Sequence, residues 1–215
     1  VNLATQLAQG IEALGLDLSQ ASREKLLTYL HLLVKWNKAY NLTAIRDPEE
    51  MVTKHLLDSL SVQPHLHGDS VCDVGTGAGL PGIPLAVANP ARSFTLLDSN
   101  GKKTRFLVQT AAELGLKNVR VIHSRAEQFH PPAPFATVIT RAFSSLADML
   151  AASRHLLAPD GRFLAMKGTY PHEELSALPP NFRVEAVIEL KVPGLEGTRH
   201  LVRIAPGDQP RTEGE

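Results

Sequence analysis

From Ser22 to Tyr40 the apolar side chains Leu26, Leu30 and Leu33, flanked by Leu27 and Val34, recur at spacings of three, four and seven. That period predicts an amphipathic helix, which ends in "WNKAYNLT". A second helix is expected to begin at Asp47. Asp47 can cap it, Pro48 suits a first turn, and Glu50 stands at capping-box spacing ahead of Met51 and Val52. It should run to about Gln63. No strand candidate precedes Gly68-Asp69, so residues 1–68 read as a helical N-terminal extension.

After Ser70 the pattern changes. Short apolar, β-branched runs ("VCDV", "FTLLD", "VRVI", "FATVI" and "RFLAM") are separated by helix-length segments, an alternation that predicts βαβ units and a parallel sheet. "RVEAVIEL" and "RHLVRIA" are joined only by "KVPGLEGT", too short for a crossover helix, so they are expected to pair as an antiparallel hairpin. The expected fold is α/β and Rossmann-like, with a seven-stranded, mostly parallel sheet over residues 69–206 and its last pair of strands reversed. The polar stretch 207–215 reads as a frayed tail.

Composition narrows the class without choosing a function. Hydrophobic residues make up 43% and charged residues 20% of 215, ordinary globular values, and no apolar run approaches the ~20 residues that cross a bilayer. The opening "VNLATQLAQG" has neither a basic region nor an unbroken apolar one, which points to a cytoplasmic protein. Cys72, the only cysteine, lies in a strand candidate and reads as a small buried hydrophobe. Basic and acidic side chains number 22 each, so the overall field does not favour nonspecific polyanion binding. Between Arg92 and Arg125, however, seven Lys or Arg face only Asp98 and Glu113.

The chemistry concentrates in "VCDVGTGAGLPGIPLA", Val71 to Ala86, which reads in two registers. Gly77, Gly79 and Gly82 spell the G-x-G-x-x-G of dinucleotide sites. Asp73, Gly75, Gly77 and Gly79 spell the acidic-plus-glycine loop of nucleoside methyl donors. Either places a ligand site between a strand and a helix. A pyrophosphate needs backbone N–H donors at the helix start, and Pro81 and Pro84 have none. A methionine-linked nucleoside carries no phosphate and needs only close backbone approach. Asp73 favours it too, suiting cationic groups and repelling phosphate; a satisfied loop carboxylate is the plainer alternative. Asp98, ending the second strand candidate, can accept from ribose hydroxyls or, less specifically, cap the next helix. "HSRAEQF" offers backbone around Ala126 and Glu127 for an adenine edge.

"WNKAYNLTAIRDPEEM", "KHLLDSL", "DVGTGAGLPGIPLA", "FTLLDSNGKKTRFL", "TRAFSSL" and "MKG" together, from Trp36 to Gly168, resemble the bacterial RsmG family, also called glucose-inhibited division protein B. "RHLVRI" extends the match. The resemblance implies a methyltransferase that uses S-adenosylmethionine on N7 of a guanine in 16S rRNA, in the 530-loop region, position 527 in standard rRNA numbering. It implies cofactor contacts for Gly75, Leu80, Ala126, Glu127 and Arg141, with Asp98 at the ribose position and Asp73, Gly77 and Gly79 in the same loop. The 30S subunit or its rRNA is then the partner, and the chain is expected to act as a monomer without a metal.

Guanine N7 presents an unprotonated lone pair, so methylation there needs no general base. Accordingly, no Ser-His-Asp order, Cys-His pair or paired carboxylates stand out, and His65-x-His67 is a poor metal site. Arg141 is a candidate for the cofactor carboxylate, RNA phosphate or the guanine itself, with Lys167 as a second. His55 reads most simply as a half-buried histidine bonded to Asp58; the resemblance places it near the active site. Trp36, Asn37, Tyr40 and Asn41 cluster at a helix end facing either sheet or base, and packing is the default for Trp36. Lys102, Lys103 and Arg105 fall at a helix start, where each opposes the macrodipole by about 0.3 to 1 kcal/mol, and are candidates for RNA phosphates. Two rival functions are an NAD-dependent oxidoreductase and a non-enzymatic cofactor-sensing partner in cell division.

Overall fold

The computed structural model describes residues 2–207. The expected tail, apart from Gly207, lies outside them. Two long helices open the chain, α1 (Leu3–Ala13) and α2 (Gln20–Tyr40). Asn2 and Ser19 cap them by accepting from backbone N–H groups of the first turns. Among the described residues, no helix is long and apolar enough to cross a membrane.

The helix expected from Asp47 to Gln63 is instead a composite. It comprises α3 (Pro48–Met51), a π-helical turn (Val52–Leu57), α4 (Asp58–Leu60) and a separate 3₁₀ turn (Gln63–His65). Asp47 caps as expected, through Oδ1 to the Glu49 amide at 3.0 Å. The capping box does not form, because the Glu50 carboxylate takes the Lys54 ammonium one turn on at 2.9 Å.

Seven strands follow in the expected places: β1 (Ser70–Val74), β2 (Ser93–Asp98), β3 (Val119–His123), β4 (Phe135–Thr140), β5 (Leu157–Lys167), β6 (Phe182–Glu189) and β7 (His200–Pro206). Between them come α5 (Gly82–Ala88), α6 (Gly101–Glu113), α7 (Leu146–Ser153) and α8 (His172–Ser176). The spatial order is β3-β2-β1-β4-β5-β7-β6. One expectation needs correction. β7 slots between β5 and β6 and is antiparallel to both, so β7 alone is reversed and β6 runs with the parallel strands.

Adjacent strand residues point to opposite faces, and the core divides accordingly. Val71, Leu96, Ile139 and Leu164 pack with α1, α2, α5 and α6 on one face. Cys72, Leu97, Val138 and Phe163 pack with α7 on the other. The N-terminal helices therefore share one core with the sheet. The buried Tyr29 hydroxyl fixes this union by donating to the Ala78 carbonyl at 2.7 Å, joining α2 to the loop after β1.

Tyr29→Phe leaves that buried carbonyl without its donor, at a cost of about 1–3 kcal/mol. Denaturant titration should show a lower midpoint with an unchanged slope. A midpoint equal to the parent's contradicts this role for the hydroxyl.

Candidate functional site

The parallel strands β1, β2, β4 and β5 end on one edge, and the order reverses between β1 and β4, the switch point where open sheets form a crevice. Gly75, Asp98 and Arg141 lie at that edge because they stand at or just past strand ends. Reversal of β7 brings its N-terminal end there too, pairing His200 with Lys167 and placing Arg199 alongside.

The glycine loop is built on Asp73, which is fully buried. Its Oδ2 accepts from the Thr76 hydroxyl at 2.7 Å and the Gly82 amide at 2.8 Å, while Oδ1 has no hydrogen-bond partner. Burial pushes its pKa up to about 8, with Asp98 adding and Thr76, Gly82 and Arg141 opposing. Asp73 thus shapes the loop from behind. Gly75, Gly77 and Gly79 all take positive φ, where a side chain is strained. A Cβ on Gly79 would lie 2.5 Å from Ile83, whereas one on Gly77 meets nothing within 4 Å. Gly82 is not a bystander of spacing either. A Cβ there would lie 2.3 Å from Leu96, so the third glycine allows α5 to pack closely on β2.

The donors at the start of α5 are committed. The Gly82 amide serves Asp73, the Ile83 amide serves the Gly79 carbonyl at 2.7 Å, and Pro84 has none. The start of α5 therefore has no free amide to offer a phosphate.

Beside the loop lies a cleft of about 210 Å³ lined by Val74, Gly75, Leu97, Asp98, Ser99, Ser124, Arg125, Ala126, Glu127 and Phe143. Asp98 accepts from the Gly77 amide at 2.8 Å through Oδ2 and from the Asn100 amide at 2.8 Å through Oδ1. Each oxygen keeps a further lone pair for a hydroxyl. Asn100, not Asp98 or Ser99, caps α6 by accepting from the Lys102 and Lys103 amides. Ala126 and Glu127 open a 3₁₀ turn that no side chain caps, so its first N–H groups have no helical acceptors. Apolar walls, a hydroxyl acceptor and backbone donors suit an adenosine. Gly77, Gly79 and Leu80 do not line this cleft; Leu80 is buried, its amide donating to the Thr76 carbonyl.

Arg141 sits one residue from Ala142, which touches the position a Gly75 Cβ would take at 3.0 Å. Its guanidinium meets Asp58 at 3.3 Å, and Arg199 grips the same carboxylate through two contacts of 2.7 and 3.1 Å. Asp58 is only 2% exposed and holds both arginines together at the sheet edge. The expected His55–Asp58 bond is therefore absent. His55 is buried, not half-buried, and its Nε2 pairs with the Thr43 hydroxyl at 2.8 Å. Thr43 is in turn held by its amide on Asn37 Oδ1 at 2.9 Å. Burial, then the charges of Arg141 and Lys54, lower the His55 pKa to about 4 against the Lys54 carbonyl, which raises it. Lys167 is occupied by Glu174 at 2.8 Å.

Arg199 and Tyr29, and the pairing of Asp58 with two arginines, are what sequence patterns overlook. Asp58 is hidden in a helix whose π turn no periodicity announces, and Tyr29 occupies an ordinary core position. Arg199 had one usable signal, a basic residue just before the last strand candidate.

A family model described as rRNA small subunit methyltransferase G matches residues 22–202. The ribosomal RNA small subunit methyltransferase G of Pseudomonas paraeruginosa is 58% identical over 200 residues, covering 93% of this chain and 94% of that one. The protein of the same name from Ectopseudomonas mendocina is 58% identical over 201 residues with the same coverage. Among solved structures, a SAM-dependent methyltransferase from Aquifex aeolicus aligns with a TM-score of 0.54 at 21% identity, over 74% of this chain and 93% of its own. One from Thiobacillus denitrificans, in complex with S-adenosyl-L-homocysteine, aligns with a TM-score of 0.50 at 17% identity, over 75% and 74%. These structures share the fold, and the family model and the close relatives agree on more: the chain belongs to the rRNA small subunit methyltransferase G family.

Proposed function

We propose that this chain methylates N7 of a guanine in the 530-loop region of 16S rRNA, acting as a cytoplasmic monomer on the 30S subunit or its RNA. The coarser activity, S-adenosylmethionine-dependent rRNA methylation, follows from family and fold. The observation that carries the cofactor reading is the glycine loop whose helix-start donors are all spent within the protein, with Asp73 behind it.

Bound S-adenosylmethionine supplies an electrophilic methyl carbon on a positively charged sulfur. Asp98 takes the ribose hydroxyls, the amides around Ala126 and Glu127 read the adenine edge, and Gly75 and Gly77 allow close backbone approach beside them. Leu80 and Gly79 act from behind, fixing the loop's curvature. Arg141, positioned by Asp58 beside Arg199, directs its remaining N–H groups to acceptors such as the cofactor carboxylate or guanine O6. Lys167 stays with Glu174 and supports Phe143, whose carbonyl it meets at 3.4 Å. Lys102, Lys103 and Arg105 face RNA phosphates.

The chain needs no general base for this reaction, because guanine N7 is already unprotonated. Its residues contribute orientation, which can lower a barrier by roughly 7 to 11 kcal/mol. His55, neutral and tied to Thr43, holds the segment between α2 and α3 against the site rather than moving a proton.

Labelled methyl transfer to 30S subunits and to deproteinised 16S rRNA, followed by mapping of the modified base, should place the label on one guanine at N7. Label on an exocyclic amine, or on no small-subunit RNA, contradicts the proposal.

His55 also predicts a pH dependence of stability. Its pKa is about 4 in the fold against 6.5 ordinarily, so between these values the unfolded chain binds the proton and the folded chain does not. Its contribution is intact above about pH 6.5 and is lost as pH falls toward 4. Denaturation midpoints of His55→Gln should therefore fall less than the parent's across that window. Parallel profiles contradict the assignment.

A further inference from the structure

The end of α2 and the first turns of α6 form a surface outside the cofactor cleft. Trp36 stacks on Tyr40 with ring centroids 5.4 Å apart at 29°, and the Lys102 ammonium lies 5.9 Å from the Tyr40 ring centre. Trp36, Val108 and Val121 line an open hollow of about 400 Å³, with Arg105, Gln109 and His123 on its rim. Among the described residues three large hydrophobic side chains are exposed, and two of them are here, Tyr40 at 37% and Val108 at 57%. Among the same residues no carboxylate pairs with Lys102, Lys103 or Arg105.

Trp36 also packs against the core beside Phe106, whereas the exposed faces of Tyr40 and Val108 and the unpaired cations do not serve folding. Exposed apolar surface gains nothing, and three cations at a helix start oppose its dipole. Together they have the composition of a single-stranded nucleic-acid platform, with aromatic faces for bases and cations for the backbone. The position fits as well. Asn100 accepts from the Lys102 and Lys103 amides and donates its own to Asp98, so the surface adjoins the cofactor cleft. At the same end of α2, Asn37 and Thr43 link the surface to His55.

We propose that this α2–α6 surface receives a single-stranded segment of the substrate rRNA, with one unstacked base seated in the Trp36–Val108 hollow beside Tyr40 and its phosphates on Lys102, Lys103 and Arg105. The inference rests on the rRNA-methyltransferase reading and adds where the strand beside the target guanine runs.

Trp36 is the chain's only tryptophan, so its emission reports the hollow directly. Titration with an RNA hairpin carrying the 530-loop sequence should quench it saturably, while a fully paired duplex of equal length should not. Val108→Glu, which puts a charge into the hollow from an exposed position, and Tyr40→Ala should each weaken hairpin binding roughly 10- to 100-fold, and Tyr40→Phe should restore it. Replacing Lys102, Lys103 and Arg105 with Gln should flatten the slope of log affinity against log salt by about 2. Circular dichroism establishes that each variant is folded. Unmoved Trp36 emission, equal quenching by the duplex, or parental affinity in Val108→Glu overturns the platform even if the parent methylates rRNA normally. Failure of the parent to methylate any small-subunit RNA overturns the functional reading and the platform with it.

Discussion

The architecture of the site depends on the buried Asp73 carboxylate at the end of β1. One of its oxygens receives both the Thr76 hydroxyl and the Gly82 amide, tying together a strand end, the glycine loop and the first residue of α5. Burial disfavours its charged form, and the two donors on Oδ2 offset part of that cost and tie the turn to it. That closure commits the donors a phosphate would need. It also explains the glycines: Gly82 must lack a Cβ to approach Leu96 and Asp73, and Gly79 must lack one beside Ile83. The G-x-G-x-x-G spacing is real packing chemistry, shared with dinucleotide folds, without their ligand.

A second carboxylate organises the opposite side of the crevice. Asp58 gathers Arg141 from the end of β4 and Arg199 from the start of β7. Removing one partner of such a buried pair leaves an uncompensated charge, so the three residues hold or fail together. The arrangement exists because β7 alone runs backwards; two reversed strands in sequence order beyond β5 would not place Arg199 beside Arg141. Sheet topology thus delivers a second arginine to an edge that otherwise collects only parallel strand ends.

Much of this was legible in the chain. Short apolar, β-branched runs marked all seven strands, because the central strands are buried in the core and the edge strands β3 and β6 are partly covered, and the α2 stripe marked its helix for the analogous reason. The glycine loop, Asp98 and the Ala126–Glu127 turn all follow strand candidates in the sequence, and the fold brings Gly75, Asp98, Ala126 and Glu127 to one cleft. The π turn was not visible, since Val52 to Leu57 satisfies an ordinary helical period. The direction of β6 was misjudged because a short connection establishes antiparallel pairing but not which strand lies beside β5. His55 was assigned to Asp58 from helical spacing, whereas Thr43 reaches it from the preceding loop and two arginines claim the carboxylate.

The central claim is that the crevice is shaped for a phosphate-free nucleoside, and isothermal calorimetry on the unliganded protein tests it most directly. The account predicts one-to-one binding of S-adenosylhomocysteine and no binding heat with NAD under the same conditions. Stoichiometric NAD binding without a response to S-adenosylhomocysteine would contradict it.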